Sequence, residues 1–81
     1  MRLPRNISGE DLIKGLNRFG YHVTRQSGSH IRLTRVAKEK SNHITIPKHD
    51  PLRLGTLNNI LRDVATHLKV DKTELIEKLF A

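Results

Sequence analysis

His30 has neighbours in the sequence that suit chemistry on a phosphate group. It directly follows the Ser-Gly-Ser sequence of residues 27–29 and stands between Arg25 and Arg32. Backbone amides of a glycine turn can bind an anion, and arginine adds bidentate phosphate contacts. Imidazole is the side chain best suited to proton transfer near neutral pH. Two interpretations follow: a phosphate site with an acid–base histidine, and a plain β-hairpin.

The other histidines and the carboxylates show no metal-binding pattern. The chain contains no Cys, which excludes thiolate zinc sites and disulfides. Its five histidines show neither HxH nor HExxH spacing. We therefore expect no metal and no other cofactor. His22 and His43 belong to strand-like segments without a visible partner, and His67 is expected on the surface of a helix.

Positive charge is concentrated in the first two thirds of the chain. The 81 residues carry 15 Lys and Arg against 8 Asp and Glu, a formal net charge of +7. Residues 1–35 hold seven of the basic residues and two of the acidic ones, whereas residues 56–81 hold four of each. Basic side chains release counterions when they contact phosphates, so this asymmetry favours a nucleic-acid partner. Ordinary solubility is the alternative, because a charge of about 2–8 is common for a small domain.

Length and hydropathy predict one domain over residues 1–81, because a domain usually takes about 100–200 residues. The first six residues lack the apolar stretch of about 7–15 residues that marks a signal peptide. No window reaches the roughly 18 apolar residues of a membrane helix. We therefore expect a cytoplasmic protein.

Three helices are predicted from capping residues and from apolar residues at helical spacing. A capping-box pattern that begins at Ser8 starts a helix over 9–19. An apolar stripe over 57–68 predicts a second helix with Thr56 as its cap. Asp71 begins a further capping box, which predicts a short last helix.

Three strands are predicted between the first and second helices. Alternating residues indicate strands over 21–26, 30–36 and 43–47, and residues 27–29 form a three-residue hairpin loop. The order α-β-β-β-α-α predicts an α+β fold. We expect a three-stranded antiparallel sheet with its helices on one face.

Period-two alternation divides each strand between an aliphatic face, which the helices cover, and a polar face that stays open to solvent. The aliphatic positions are Tyr21, Val23, Ile31, Leu33, Ile44 and Ile46. The polar positions are His22, Thr24, Gln26, His30, Arg32, Thr34, His43, Thr45 and Pro47.

Loop lengths then predict how the strands pair. The first hairpin places Gln26 opposite His30. The loop before the third strand places Leu33 opposite Ile46 and His30 opposite His49. Both registers keep the two faces separate, whereas a slip of one residue would not.

Three short elements occur in a recognisable order and spacing: Gly-Ser-His at 28–30, Pro-Lys-His at 47–49 and Gly-Thr-Leu at 55–57. In these elements the sequence resembles the HicA (YcfA-like) toxins of HicAB toxin–antitoxin pairs. Further matches are Ser8, Gly9, Leu12, Ile13, Leu16, Gly20, Tyr21, Val23, Arg25, Gln26, Ser27, Ile44, Thr45, Ile46, Leu54, Ile60 and Leu61. The resemblance covers residues 6–79.

This resemblance implies a fold similar to a double-stranded-RNA-binding domain. It also implies an mRNA interferase, an endoribonuclease that cleaves mRNA, in which the histidine of Gly-Ser-His is catalytic. That histidine is His30 in this sequence. A HicB-like antitoxin, usually encoded alongside, would bind and mask the toxin.

Several residues around His30 are predicted to contact the RNA or to assist catalysis. The candidates for RNA binding are Arg25, Gly28, Ser29, Arg32 and Lys48. His49 is a candidate assistant, because cleavage through the ribose 2′-hydroxyl needs one group to take a proton and another to give one. The alternative for His49 is a structural role in the connection over 47–51.

Two other functions compete with the endoribonuclease. The same basic surface suits a non-catalytic RNA-binding module. A DNA-binding domain that reads the major groove with its strands is a third interpretation, but it would be expected to show Arg, Asn or Gln pairs along one element. Asn58, Asn59 and Arg32 do not form such a set.

Overall fold

The computed structural model describes residues 6–38 and 40–80. The elements in chain order are α1 (Gly9–Asn17), β1 (His22–Ser27), β2 (His30–Arg35), β3 (Asn42–Pro47), α2 (Leu54–Leu68) and α3 (Lys72–Phe80). The strands form one antiparallel sheet in the order β1-β2-β3. The predicted α+β fold and its element order are confirmed. Within the described ranges, no helix is both long and apolar enough to cross a membrane.

One hydrophobic core lies between the three helices and the sheet. Leu33 and Ile46 are fully buried and supply the sheet side of this core. Its other fully buried large side chains are Leu12, Leu16, Tyr21, Leu57, Leu61, Val64 and Leu75. Burial raises the pKa of the Tyr21 hydroxyl above its ordinary value, although that oxygen accepts a hydrogen bond of 2.6 Å from Asn42 Nδ2.

Strand β1 lies beyond the part of the sheet that the core covers. All six of its residues are exposed, in contrast to β2 and β3, where alternate residues are buried. The prediction that Val23 lies under the helices is therefore wrong, since half of its surface is exposed. The covered face of the sheet is built from β2 and β3.

The pairing of β1 with β2 differs from the prediction near the turn. Ser27 pairs with His30, so the turn has two residues, and Gln26 pairs with Ile31 rather than His30. A β-bulge at Thr24 then shifts the register by one residue, and beyond it Val23 pairs with Leu33. A bulge places an extra residue in one strand, so the side chains on either side of it change faces relative to simple alternation.

The pairing of β2 with β3 differs from the prediction by two residues. Leu33 pairs with Ile44 rather than Ile46, and His30 pairs with Pro47 rather than His49. The strand pairing begins at Arg35 and Asn42 rather than at Val36 and His43, so the loop keeps its predicted length but lies one residue earlier in the chain. A shift of two residues returns each side chain to the same face, which is why the aliphatic residues of β2 and β3 are still buried together.

Helices α1 and α2 begin for different physical reasons. The capping box of α1 is confirmed: Ser8 Oγ accepts from Asp11 N at 3.0 Å, and Ser8 N donates to Asp11 Oδ2 at 3.2 Å. The predicted cap Thr56 is wrong, because α2 begins at Leu54 and its N-cap Arg53 makes no side-chain cap bond. Burial of the apolar stripe stabilises the α2 start without a capping side chain.

Gly9 brings the start of α1 against the segment that follows β3. Its backbone N–H donates to the carbonyl of His49 at 2.9 Å. A Cβ added at this position would overlap the carbonyl oxygen of Pro47 and press on Lys48 Cα. The close approach of α1 to the backbone of residues 47–49 therefore requires glycine at position 9.

We expect Gly9→Ala to destabilise the fold by about 1–3 kcal/mol, the usual cost of forcing a group into a packed site. Gly55→Ala is the matched control, because nothing lies within 4 Å of a Cβ there and alanine favours a helix by about 0.5–1 kcal/mol. Chemical denaturation of both variants measures the difference. Equal stability of the two variants would contradict the close approach at Gly9.

Candidate nucleic-acid interface

The face of the sheet turned away from the helices carries polar and basic side chains, and we call it the polar face. The pairing places these residues on it: His22, Arg25, Ser27, His30, Arg32, Thr34, His43, Thr45 and Pro47. The three strands contain no Asp or Glu. An anion that approaches this face therefore meets basic and neutral groups of the sheet.

His30 is the first residue of the central strand β2 and is exposed on the polar face. The turn before it places Gly28 at a φ of 58°, a left-handed conformation that favours glycine. No atom lies within 4 Å of the position that a Gly28 Cβ would take. The turn at Gly28 is therefore open to solvent at this position.

Arg25 and Arg32 lie directly opposite each other on β1 and β2. Arg32 is two residues along β2 from His30, so both side chains belong to the same face. Like charges in this position destabilise a sheet. Neither guanidinium forms an ion pair with a carboxylate in residues 6–38 and 40–80. The bulge at Thr24 brings Arg25 to the polar face and turns Gln26 away from it, a feature that alternation alone missed. The two arginines therefore concentrate positive charge at this point of the polar face.

Lys48 follows the strand β3 next to the turn. Its backbone N–H donates to Ser29 O at 2.6 Å, which continues the backbone hydrogen bonds between β2 and β3 past His30. Its ammonium lies 3.7 Å from Glu10 Oε1, and both side chains are about half exposed or more. An exposed pair of this kind contributes about 0–1 kcal/mol, so the Lys48 side chain can exchange this partner for a phosphate.

His49 lies near His30 but not opposite it. It is two residues beyond Pro47, the partner of His30, a displacement of roughly 6–7 Å along an extended strand. Its backbone carbonyl is held by Gly9, and its side chain is exposed. His49 lines a surface depression with Ser8, Glu10, Lys48 and Asp50. The structure thus brings His49 to the same end of the sheet as His30.

Two threonine hydroxyls and one imidazole form a chain of hydrogen bonds across the three strands, at the end of the polar face opposite to His30. Thr24 Oγ1 lies 2.9 Å from Thr34 Oγ1, which in turn lies 2.8 Å from His43 Nδ1. Thr34 is only 9% exposed although it belongs to the polar face. Alternation predicted these residues on one face, but not their contacts, which depend on the bulge at Thr24.

The remaining histidines differ in their surroundings. His67 is half-buried rather than on the surface, and its Nε2 lies 3.3 Å from an Arg35 amino group. Imidazole hydrogen bonds within the described part of the chain involve His43 and His67, not His30 or His49. The same part contains no group of three or more His, Asp or Glu side chains placed to hold a metal ion.

The family comparison covers the whole sheet. A family model described as the HicA toxin of bacterial toxin-antitoxin matches residues 9–65, from the first residue of α1 to Ala65 in α2. The chain belongs to the HicA toxin family. As a HicA toxin it is the toxin component of a toxin–antitoxin system and has an antitoxin as its partner. No curated protein and no solved structure gives a significant match.

Proposed function

We propose that this HicA toxin is a metal-independent endoribonuclease that cleaves mRNA, with His30 as its catalytic residue. The observation that carries the proposal is the position of His30 on an open, acid-free sheet face. His30 is exposed, it directly follows the turn at Gly28 and Ser29, and the Arg25–Arg32 pair lies two residues along β2 from it on the same face. These groups supply the proton transfer and the positive charge that cleavage of a phosphodiester requires.

The reaction proposed for His30 uses the ribose of the RNA as the nucleophile. The imidazole takes the proton from a 2′-hydroxyl, and the 2′-oxygen forms a bond to the adjacent phosphorus. The bond from phosphorus to the 5′-oxygen breaks, and that oxygen leaves with a proton. Arg25 and Arg32 stabilise the negative charge that develops on the phosphate oxygens. Gly28 and Ser29 offer backbone N–H groups, and Lys48 adds a further positive charge beside the turn.

The cleavage experiment incubates the purified toxin with mRNA in the presence of a metal chelator. We expect the RNA to be cut at internal positions. RNA that is bound but stays intact would identify a non-catalytic RNA-binding module. Cleavage that stops with chelator and returns with a divalent cation would contradict the metal-independent reaction.

His49 is proposed as the group that gives a proton to the leaving oxygen. We expect His49→Ala to remove one limb of the pH–rate profile for cleavage, because two groups of different pKa produce a bell-shaped dependence. The variant keeps the backbone bond between His49 and Gly9, so the connection after β3 is preserved. An unchanged bell with a lowered melting temperature would assign His49 a structural role instead.

The antitoxin is proposed to be a HicB-like protein that covers the polar face. Acidic residues placed against Arg25, Arg32 or Lys48 would complement a surface that lacks carboxylates on its strands. We expect the association rate of toxin and antitoxin to fall with added salt. We also expect bound antitoxin to exclude RNA. A complex in which His30 stays accessible and RNA still binds would contradict occlusion.

A further inference from the structure

A second group of basic side chains surrounds a depression near the end of β2 that lies away from His30. Arg35 is the last residue of β2, roughly 17 Å along the strand from His30. The depression is lined by Arg35, Ala37, Lys38, Lys40, His67 and Lys69, and we call it the basic pocket. At this distance it has no part in the cleavage reaction proposed above.

Two hydrogen bonds hold the guanidinium of Arg35, which is half-buried. Its Nε donates to the carbonyl of Phe19 at 2.9 Å. A guanidinium has five donors and no acceptor, so its Nη1 donates to His67 Nε2 on α2, at 3.3 Å. The remaining N–H groups of Arg35 have no partner in residues 6–38 and 40–80. The basic pocket therefore contains a guanidinium that is fixed in place and still has donors to offer.

The other cations of the basic pocket are exposed ammonium groups, which donate hydrogen bonds and accept none. They belong to Lys38, Lys40 and Lys69. Neither they nor Arg35 form an ion pair with a carboxylate in the described part of the chain. Residues 35–40 together with residue 69 hold four basic residues against one acidic residue, Glu39. The pocket therefore favours a ligand that accepts hydrogen bonds and carries negative charge.

The position of the basic pocket favours an RNA phosphate as this ligand. A strand that is cleaved at His30 and runs along β2 past Arg32 reaches the end of the sheet where Arg35 lies. Arg35 belongs to the covered face, so the strand must pass round the end of the sheet, where Lys38 and Lys40 lie in the loop before β3. Because RNA carries a phosphate at each nucleotide, it brings an anion to this place whatever its base sequence.

We propose that the basic pocket binds a phosphate of the RNA other than the one that is cleaved, and so extends the binding surface beyond the polar face. This inference rests on the proposed function, because it assumes that the same RNA strand occupies the polar face. An acidic segment of the antitoxin is the competing occupant. The RNA is favoured because the pocket continues the line from His30 past Arg32 along β2.

The first experiment removes two charges from the loop, with Lys38→Gln combined with Lys40→Gln. The Arg35 side chain is left unchanged, because it connects β2 with α2 and with the segment after α1. Affinity for a short single-stranded RNA is measured against salt concentration in the His30→Ala background, with recovery of intact RNA checked on a gel. We expect the slope of log affinity against log salt to become shallower by about 0.7, the value for one phosphate contact, which is about a 5-fold loss at 0.1 M salt.

The matched control is Lys14→Gln combined with Arg62→Gln, which also removes two exposed positive charges and should leave the slope unchanged. Lys69→Gln tests the pocket from a different element, because Lys69 is the C-cap of α2. It should weaken RNA binding in the same direction as the loop variant. The assignment of the pocket is overturned if Lys69→Gln has no effect, or if the loop variant and the control have equal slopes.

The second experiment identifies the bound group by neutralising one phosphate at a time. A set of RNAs carries a single uncharged methylphosphonate at successive positions. In the His30→Ala protein, one position outside the cleaved bond should weaken binding, and in the added presence of the loop substitutions that position should have no further effect, because both changes remove the same contact. Additive effects at every position would overturn the inference, as would a loop variant that loses affinity for the antitoxin but not for RNA. Failure of the His30→Ala protein to bind RNA would overturn the proposed function together with this inference.

Discussion

Replacement of His30 by alanine is expected to lower the rate of RNA cleavage by about 10²–10⁴-fold, the usual cost of losing a general acid–base group. The expected loss is chemical rather than structural. The side chain is exposed and hydrogen-bonded to no residue that the structure describes, so the melting temperature of His30→Ala should match that of the parent. In cells, we expect expression of the parent to arrest growth and expression of the variant to leave growth unchanged.

His22→Ala serves as the control for His30→Ala, because it removes another exposed imidazole from β1 without touching the turn. Cleavage by the control should stay close to that of the parent. A His30→Ala protein that is folded and cleaves RNA as fast as the parent would show that the assignment of the catalytic residue is wrong.

Substitution of both Arg25 and Arg32 by glutamine is expected to have the second largest effect. For a single strand, the slope of log affinity against log salt changes by about 0.7 for each phosphate contact. The double variant should therefore bind RNA more weakly and with a slope shallower by about 1.4. Its fold should be more stable by about 0.2–1 kcal/mol, because two like charges no longer face each other across the strands.

The control for the double variant also removes two positive charges, but from a different surface of the protein. Lys14 and Arg62 are exposed on α1 and α2, on the helical side of the sheet. Their substitution by glutamine should leave the salt slope close to that of the parent. A flat salt response of the parent, or equal slopes for the two double variants, would remove the arginine pair from the proposed binding surface.

Much of the fold follows from alternation and capping in the sequence. The aliphatic residues of β2 and β3 are buried as predicted, and the capping box at Ser8 starts α1. The predicted partner of Leu33 was wrong, yet its face was correct, because a shift of two residues preserves the side on which each residue lies. Burial depends on the face, so the core could be predicted without the register.

The candidate site depends more strongly on the register and was predicted less completely. The alternation of side chains along a strand could not locate the bulge at Thr24, because a bulge adds one residue without a change in composition. That bulge decides that Arg25 faces Arg32 and that Thr24 reaches Thr34. The position of His30 beside the turn could be predicted because its neighbours in the sequence are also its neighbours in the hairpin. The hydroxyl chain to His43 joins three strands and has no local signal.

The chemical nature of the new RNA ends tests the central claim most directly. Cleavage through the 2′-hydroxyl, assisted by an imidazole, produces an upstream fragment that ends in a 2′,3′-cyclic phosphate and a downstream fragment that begins with a 5′-hydroxyl. The measurement is labelling of the new 5′ ends by a polynucleotide kinase, without prior phosphatase treatment, after digestion in the presence of a chelator. Direct labelling of the fragments is the predicted result. Fragments that carry a 5′-phosphate and a 3′-hydroxyl would contradict the account, because the ribose would then not be the nucleophile.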